Sequence, residues 1–322
     1  MALFRRYSQQ PAPAAGSLVS ILKEGLAMFA IVGILLVFGA VIGGFLMEKG
    51  QLAVLMQPAE FLIIVGAGVG TLLIANPMHI LKGIFAGALG VFGKSHYGKE
   101  RYLSSLKMMF ELLNKVRRAG MLSIEVDIEK PEESVIFNAY PDFIHDHHVR
   151  SFVCDTLRMA VTGGVEPFDM DQMMDLDMEV QHRCANQPIS ALTTVADSLP
   201  GLGIVAAVLG VVITMGALGG PPEAIGHKVA AALVGTFLGI LLCYGLVGPI
   251  GSYMGKQAEE EHAFLYVLRV LMTSFIKGNA PVQSVEIARR AIPMHVRPTF
   301  EEVEAACHGP QASEAAAEQK IA

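Results

Sequence analysis

The sequence predicts an all-α membrane protein with four transmembrane helices, a large helical cytoplasmic loop between spans two and three, and a helical cytoplasmic tail. Hydrophobic residues make up 52% of the 322 residues and charged residues only 17%, a composition more apolar than that of an average soluble protein. The apolar residues are concentrated in four runs of roughly 20 residues, which is the length needed to cross about 30 Å of hydrocarbon. The polar sequence between runs two and three has a helical period of hydrophobicity.

The four predicted spans differ in how clearly their limits are marked. Span one covers residues 25–47 and contains no charged residue. Span two follows Glu60 and covers residues 61 to about 81, although the NPMH sequence near its end leaves that limit open. Span three is DSLPGLGIVAAVLGVVITMGALGG, residues 197–220, and span four covers about residues 229–254. Closely spaced small residues in spans two to four predict helices that pack tightly against others in lipid.

Basic residues near the span ends predict the orientation of the chain in the membrane. They cluster before span one (Arg5, Arg6 and Lys23) and after span two (Lys82, Lys94, Lys99, Arg101 and Lys107). The two short connectors, between spans one and two and between spans three and four, carry only Lys49 and Lys228. We therefore predict that both termini and the large middle segment face the cytoplasm.

These limits divide the chain into six predicted segments. They are a flexible cytosolic tail (residues 1–24), spans one and two (25–81), a cytoplasmic helical segment (82–196), spans three and four (197–254), cytoplasmic C-terminal helices (255–308) and a disordered tail (309–322).

The cytoplasmic segments show further helical patterns. One predicted helix ends at Gly120 and has an apolar face made of Leu103, Leu106, Met109, Phe110 and Leu113. A charged turn is predicted over residues 123–134, and further helix over 149–183. The tail is predicted to continue span four as a helix, to break at GNAPV, and to resume through VEIARRA.

Two lightly polar stripes follow from helical spacing in spans three and four. They consist of Pro200, Ala207 and Thr214 in span three, and of Thr236, Ile240 and Tyr244 in span four. One interpretation is that they line a path beside a charged group of a partner. The alternative is that a membrane threonine bonds its own backbone carbonyl three or four residues back, while a tyrosine near a span end anchors at the interface.

Pro200 and Pro249 lie at the predicted cytoplasmic ends of spans three and four. Proline in a helix interior removes a hydrogen bond and weakens or kinks the helix, whereas proline in the first turn is tolerated. Pro200 could therefore be a first-turn residue, with Asp197 or Ser198 as the cap. A matching proline at the same face of the membrane favours the other interpretation, in which both act as hinges.

Charged and histidine-rich stretches of the middle segment allow two interpretations each. Arg117, Arg118, Glu125, Asp127 and Glu129 form either a solvated surface or a docking patch for a partner. His145, His147 and His148 suggest a metal site, but neighbours at this spacing do not share one helix face. A solvated surface is the favoured interpretation of the histidines, and no metal site is predicted.

Several function classes are disfavoured by composition. Cys154, Cys184, Cys243 and Cys307 form no CxxC pair, so neither a disulfide framework nor a zinc site is indicated. The net charge of −6 and scattered basic residues give no reason to expect nucleic-acid binding. No nucleophile elbow, phosphate-binding loop or catalytic carboxylate pair is recognisable. We predict that the chain is not an enzyme and needs no cofactor.

The ordered motifs resemble those of the flagellar stator proteins of the MotA/TolQ/ExbB proton channel family. The resemblance covers about residues 28–305 and is carried by GGFLMEKG, QPAEFLIIVGAGVG, RRAGMLSIEVDIEKPEESVIF, DSLPGLGIVAAVLGVV, VGTFLGILLCYGLVGPI and RPTFEEVE. Two spans before the large loop and two after it favour the stator branch over the three-span ExbB and TolQ proteins.

The resemblance implies a stator subunit in the bacterial inner membrane, where a pentameric ring of these chains surrounds MotB chains that supply an ion-binding aspartate. Ion flow would turn the ring against a rotor switch-complex protein. Pro200 and Pro249 match the family's two functional prolines, and Arg117 and Glu125 match its rotor-contacting charges. Thr236 and Tyr244 match a threonine near the MotB aspartate and the tyrosine that follows it.

The ion is indicated by one position of the same motifs. Proton-driven relatives carry alanine on span three where sodium-driven ones carry threonine, and this chain has Ala207. Thr214 has no counterpart in the family's motif. Two other hypotheses are an ExbB/TolQ-like motor that energises outer-membrane processes, and a self-contained transporter. The transporter hypothesis alone predicts ion flux without a partner.

Overall fold

The computed structural model describes residues 15–91, 93, 97–216, 219 and 221–308, with side chains described from residue 29 onward. The described residues contain helices and no strand. The helices are α1 Ala15–Met47, α2 Leu52–Leu55, α3 Pro58–Ala75, α4 Met78–Gly90, α5 Lys99–Ala119, α6 Glu125–Glu129, α7 Val135–Asn138, α8 Pro141–His145, α9 His147–Thr162, α10 Pro167–Met215, α11 Pro222–Leu242, α12 Gly248–Ile276, α13 Pro281–Ala291 and α14 Phe300–His308. Short 3₁₀ helices cover Met121–Ile124 and Pro131–Glu133, and a π-helical segment covers Cys243–Val247.

Four stretches of described helix are long and apolar enough to cross a membrane: Phe29–Met47, Leu52–Ala75, Pro167–Met215 and Pro222–Ile276. The all-α class and the four apolar helices of membrane-spanning length are therefore confirmed. The chain divides into two compact units, one formed by residues 1–95 and 185–256 and the other by residues 96–184 and 257–322. We call them the apolar unit and the polar unit.

Helix limits differ from the sequence-based ones in two places near the start of the chain. Helix α1 begins at Ala15, within the segment predicted to be a flexible tail, and residues 1–14 lie outside the described part. Helix α3 ends at Ala75, before the predicted limit near residue 81, and α4 starts at Met78. Pro77 explains this break, because a residue preceding proline is pushed out of the helical region, and Asn76 has ψ 137°.

In the apolar unit, helices α10 and α11 approach each other through glycines. A β-carbon added at Gly203 would lie 2.8 Å from the carbonyl oxygen of Gly235, and one at Gly239 would lie 2.5 Å from that of Leu199. Such distances leave no room for any side chain at these two positions. Close backbone approach of this kind is how helices associate in lipid, where apolar burial gives little driving force.

Few residues of the apolar unit are buried. One small core consists of Ile64, Ala196, Leu199, Ala206 and Cys243, and a second of Ile84, Val91, Leu192 and Met254. Large apolar side chains instead face outward, among them Leu35, Leu36, Leu62, Ile74, Val212, Ile213 and Leu233. Apolar surface of this extent is suited to contact with lipid or with other membrane helices.

The polar unit has a conventional hydrophobic core around α5. Four of the five side chains of the predicted apolar face are buried and Leu103 packs against the core. Gly120 ends α5 with φ +84°, a conformation that favours glycine, and its N–H donates to the carbonyl of Val116. The predicted helix and its stop are thus confirmed.

Two other predictions for the polar unit need correction. The charged stretch 123–134 is not a turn but largely consists of α6 and 3₁₀ segments. The predicted helix over 149–183 is interrupted, because α9 ends at Thr162, Gly163 follows with φ +74°, and α10 begins at Pro167. The tail agrees with its prediction, since α12 ends at Ile276 and α13 begins at Pro281.

Replacing Gly239 with alanine tests the glycine contact. The new methyl group would meet the backbone at Leu199 and Gly203, and overpacking of this kind costs about 1–3 kcal/mol. We expect a lower apparent melting temperature for the detergent-solubilised variant. Gly226→Ala on the same helix is the matched control, because a β-carbon there meets nothing within 4 Å. Equal melting temperatures for the two variants would refute the contact.

Candidate functional site

The structure brings the predicted residues Ala207 and Thr236 to one helix crossing. A β-carbon added at Gly235 would lie 3.3 Å from the backbone nitrogen of Ala207, and one at Gly203 would lie 3.3 Å from the α-carbon of Thr236. Ala207 and Thr236 are both half-buried. The crossing of α10 and α11 thus places a methyl group and a hydroxyl-bearing residue beside each other at a partly open surface.

The threonines of the two predicted stripes, Thr214 and Thr236, have different surroundings. Thr214 is buried, with 5% of its surface exposed, and its hydroxyl donates to the carbonyl oxygen of Gly210 at 2.7 Å. Thr214 therefore bonds to its own helix backbone four residues back, as the alternative to a polar path in spans three and four predicts. Thr236 makes no side-chain hydrogen bond within the part of the chain that the structure describes. Its hydroxyl is therefore available to a group outside this chain.

Tyr244 lies away from the crossing of α10 and α11. Its side chain is 72% exposed and it belongs to the π-helical segment Cys243–Val247. Ile240, one turn earlier, is 45% exposed. The span-four stripe consequently changes along its length, from half-buried at Thr236 to outward-facing at Tyr244.

Pro200 lies deep inside α10, which begins at Pro167, so the interpretation of Pro200 as a first-turn residue is wrong. A proline at this depth leaves a carbonyl of the preceding turn without its N–H partner. Pro188 is a second interior proline of the same helix, which the sequence analysis did not single out.

Pro249 is the second residue of α12 and directly follows the π-helical segment. The N–H of Gly248 donates to the carbonyl of Cys243, five residues back. Proline has no N–H to continue the α-helical pattern, and a wider turn accommodates this loss. The π-helical segment had no signal in the sequence other than Pro249 itself. Irregular helix at both prolines is compatible with bending at these points.

Glu60 is a site residue that sequence reasoning treated only as the start of span two. It is 7% exposed, and its Oε2 has no hydrogen-bond partner among the residues that the structure describes. Oε2 lies 2.6 Å from the position that a β-carbon at Gly235 would take, and Oε1 lies 3.5 Å from that at Gly210. The signal that could have found it is the rarity of an ionisable residue within a span.

In the polar unit, the predicted charges Arg117 and Glu125 are both exposed. Arg117 lies in the last turn of α5 and Glu125 begins α6. Neither has an ion-pair partner within the described residues. Both charges are therefore free to face a partner.

An ion pair and hydrogen bonds hold the segment that carries these charges. Lys115 Nζ lies 2.6 Å from Asp127 Oδ2, and the hydroxyl of Ser134 donates to Asp127 Oδ1 at 2.6 Å. Asp127 is buried, so neither of the two interpretations offered for it, a solvated surface or a docking patch, holds at this residue. Its role is to fix the connection between α5, α6 and α7.

Two exposed apolar side chains flank Glu125, and the sequence analysis did not single them out. Leu122 and Val126 are each 70% exposed. Together with Arg117, Arg118 and Glu125 they form what we call the charged patch. Exposed apolar groups among charges are typical of a docking surface.

Two of the clustered histidines are engaged with protein groups. His148 Nδ1 lies 2.8 Å from Glu261, a hydrogen bond that raises the pKa of His148. His147 Nδ1 lies 2.8 Å from the guanidinium of Arg150. These contacts connect neighbouring surface groups on the polar unit.

Two regions of the chain match known protein families. Residues 31–120 match the family described as Motility protein A N-terminal. Residues 145–265 match the MotA/TolQ/ExbB proton channel family. The second match includes α9 and the crossing of α10 and α11.

Individual relatives match over most of their length. Motility protein A of Escherichia coli K12 is 39% identical over 277 residues, which is 86% of this chain and 94% of the relative. Chemotaxis protein LafT of Vibrio parahaemolyticus is 33% identical, over 86% of this chain and 97% of the relative.

Two solved structures share the fold. C. jejuni MotAB matches with a TM-score of 0.70 and 18% identity, over 84% of this chain and 98% of that chain. The MotAB stator complex of Bacillus subtilis matches with a TM-score of 0.64 and 23% identity, over 83% and 94%. With both family regions in order and relatives above 30% identity, the chain belongs to the MotA/TolQ/ExbB proton channel family and carries its motility protein A N-terminal region.

Proposed function

We propose that this chain is a stator subunit of the bacterial flagellar motor, which together with MotB conducts protons and converts the ion-motive force into torque on the rotor. The observation that carries the proposal is the glycine-lined crossing of α10 and α11. Ala207 and Thr236 both lie at this crossing and are half-buried, and the Thr236 hydroxyl has no hydrogen-bond partner among the described residues. The names of the relatives, Motility protein A and the MotAB stator complex, support the same function.

The partner is MotB, which supplies an ion-binding aspartate to the crossing. Between Asp197 and Glu259 the sequence contains one carboxylate, Glu223, which lies in the connector, so neither span three nor span four carries a carboxylate after Asp197. The ion-binding carboxylate beside Thr236 would come from the MotB helix, and the small residues of α10 and α11 let that helix approach. Small-residue faces also suit a homo-oligomeric ring, which we propose to be a pentamer.

The outward-facing apolar side chains support such an assembly. No residue from 29 to 47 in α1 is fully buried within the chain, and the apolar side chains of α10 and α11 are largely exposed. Lipid and neighbouring subunits would cover these surfaces. We propose a multi-pass location in the bacterial inner membrane with both termini in the cytoplasm, which is the orientation that the basic residues favour.

Ion movement would be converted into motion at Pro200 and Pro249. A proton that reaches the MotB aspartate removes a charge from the centre of the assembly, which changes the electrostatic energy of the surrounding helices. Both helices that carry these prolines have lost part of their regular hydrogen bonding there. Bending at these points needs less energy than bending an intact helix, so the prolines would serve as hinges.

The charged patch would contact the rotor switch-complex protein. Arg117 and Glu125 supply opposite charges, and Leu122 and Val126, which flank Glu125 in the sequence, supply exposed apolar area. Charges at such an interface chiefly determine association rate and specificity. The match of residues 31–120 to the motility protein A region favours this function over an ExbB/TolQ-like motor.

Charge reversal at Arg117 tests the rotor contact. Like charges across an interface cost several kcal/mol, so Arg117→Glu should reduce spreading in motility agar by about fivefold or more. A reversed charge on the switch-complex protein should restore part of it. Lys277→Glu, an exposed lysine elsewhere in the polar unit, is the matched control. Normal motility of Arg117→Glu would exclude the contact.

The identity of the ion is tested by swimming speed. Ala207 offers no oxygen ligand where a sodium ion would need one, so the speed should collapse when a protonophore is added. Replacement of sodium by potassium in the medium should leave the speed unchanged. A speed that rises with sodium concentration would show that the Ala207 interpretation is wrong.

A further inference from the structure

Glu60 occupies the space that two glycines leave at the crossing of α10 and α11. Its Oε1 lies beside Gly210 on α10, and its Oε2 lies beside Gly235 on α11. A methyl group at Gly235 would collide with Oε2, because the separation would be 2.6 Å. The carboxyl group is thus inserted between three helices, with 7% of the residue exposed.

One oxygen of the carboxyl lacks a hydrogen bond. Oε2 is buried and has no hydrogen-bond partner in the described part of the chain. An unpaired buried polar group costs about 1–3 kcal/mol, and buried polar groups without partners in native proteins call for a functional or solvent-based explanation. A side chain that only filled this space would be apolar and would avoid that cost.

Two effects act on the carboxyl in opposite directions. Removal from water disfavours the ionised form. The N-terminal end of a helix favours a negative charge, and Glu60 is the third residue of α3, in its first turn. A group held between these effects is suited to gain and lose a proton.

Glu60 lies close to the residues of the crossing that the proposed function assigns to the ion path. Gly235, which Oε2 approaches, directly precedes Thr236 and also faces the backbone nitrogen of Ala207. In the proposed orientation span two enters from the outside, so Glu60 near its start lies on the side from which ions arrive.

We propose that Glu60 is a proton-relay site on the outer side of the crossing, an inference that rests on the proposed stator function. A hydronium ion from the outer side gives its proton to the Glu60 carboxylate, which leaves water and a carboxylic acid. The acid then gives the proton, through water, to the carboxylate of the MotB partner beside Thr236. This regenerates the Glu60 carboxylate, and no oxidant or reductant takes part.

Glu60→Gln removes the titratable group and keeps the size of the side chain. We expect the variant to co-purify with MotB at the wild-type level, and the swimming speed to fall by about tenfold, because a positioned proton-transfer group contributes at least that much. Glu223→Gln is the matched control, since Glu223 is an exposed carboxylate in the first turn of α11. It should swim at the wild-type speed.

Glu60→Asp keeps a carboxyl but withdraws it by one methylene group. We expect partial recovery of speed relative to Glu60→Gln, with a changed dependence of speed on external pH. If Glu60→Gln fails to assemble with MotB, the pH profile of an assembled Glu60→Asp variant decides, and an unchanged profile overturns the relay. Wild-type speed of an assembled Glu60→Gln variant at every external pH also overturns it.

These outcomes separate the relay from the stator function. If the relay is wrong, Glu60→Gln swims normally while deletion of the chain still abolishes motility. If the stator function is wrong, deletion of the chain leaves motility intact.

Discussion

The close approach of α10 and α11 is the constraint on which the rest of the apolar unit depends. Gly203 and Gly239 allow the two backbones to come within contact distance, and this contact aligns Ala207 with Thr236. Two other glycines of these helices, Gly210 and Gly235, open the space that Glu60 fills. In lipid, where apolar burial contributes little to helix association, backbone proximity of this kind supplies packing that side chains cannot.

The site consists of weakly polar groups supported by irregular helix. Thr236 offers a hydroxyl, Ala207 a small neutral surface, and Glu60 a buried carboxyl whose Oε2 has no hydrogen-bond partner among the described residues. Pro200 and the π-helical segment before Pro249 interrupt regular hydrogen bonding on α10 and next to α12. Helices α10 and α12 each contribute residues to both compact units. In the proposed function, MotB supplies the aspartate that binds the ion, and Glu60 of this chain passes the proton to it.

Much of the fold could be predicted where a sequence pattern reflects one dominant physical effect, the removal of apolar side chains from water. Apolar runs of sufficient length predicted the membrane helices, and the apolar periodicity before Gly120 predicted α5 and its end. Predictions failed where two local signals compete. Pro200 has helix-capping residues before it, yet the chain continues as helix through it, because tertiary packing overrides a local preference. Asp127 looked like a surface charge, but its partners Lys115 and Ser134 bury it.

The importance of Glu60 could not be inferred from its position alone. An acidic residue at the start of a helix is common, and only the glycines of two distant segments reveal that its carboxyl is enclosed. The structure also adds Leu122 and Val126 to the charged patch, since exposure of an apolar side chain is not encoded in a short motif.

The central claim is that MotB completes the proton path with its aspartate. Proton uptake by membrane vesicles tests this claim most directly. Vesicles would contain this chain alone, this chain with MotB, or this chain with a MotB variant that lacks the ion-binding aspartate. The account predicts uptake above background only when intact MotB is present. Uptake of equal rate by the chain alone would contradict it, because the path would then be complete within a single chain or its homo-oligomer.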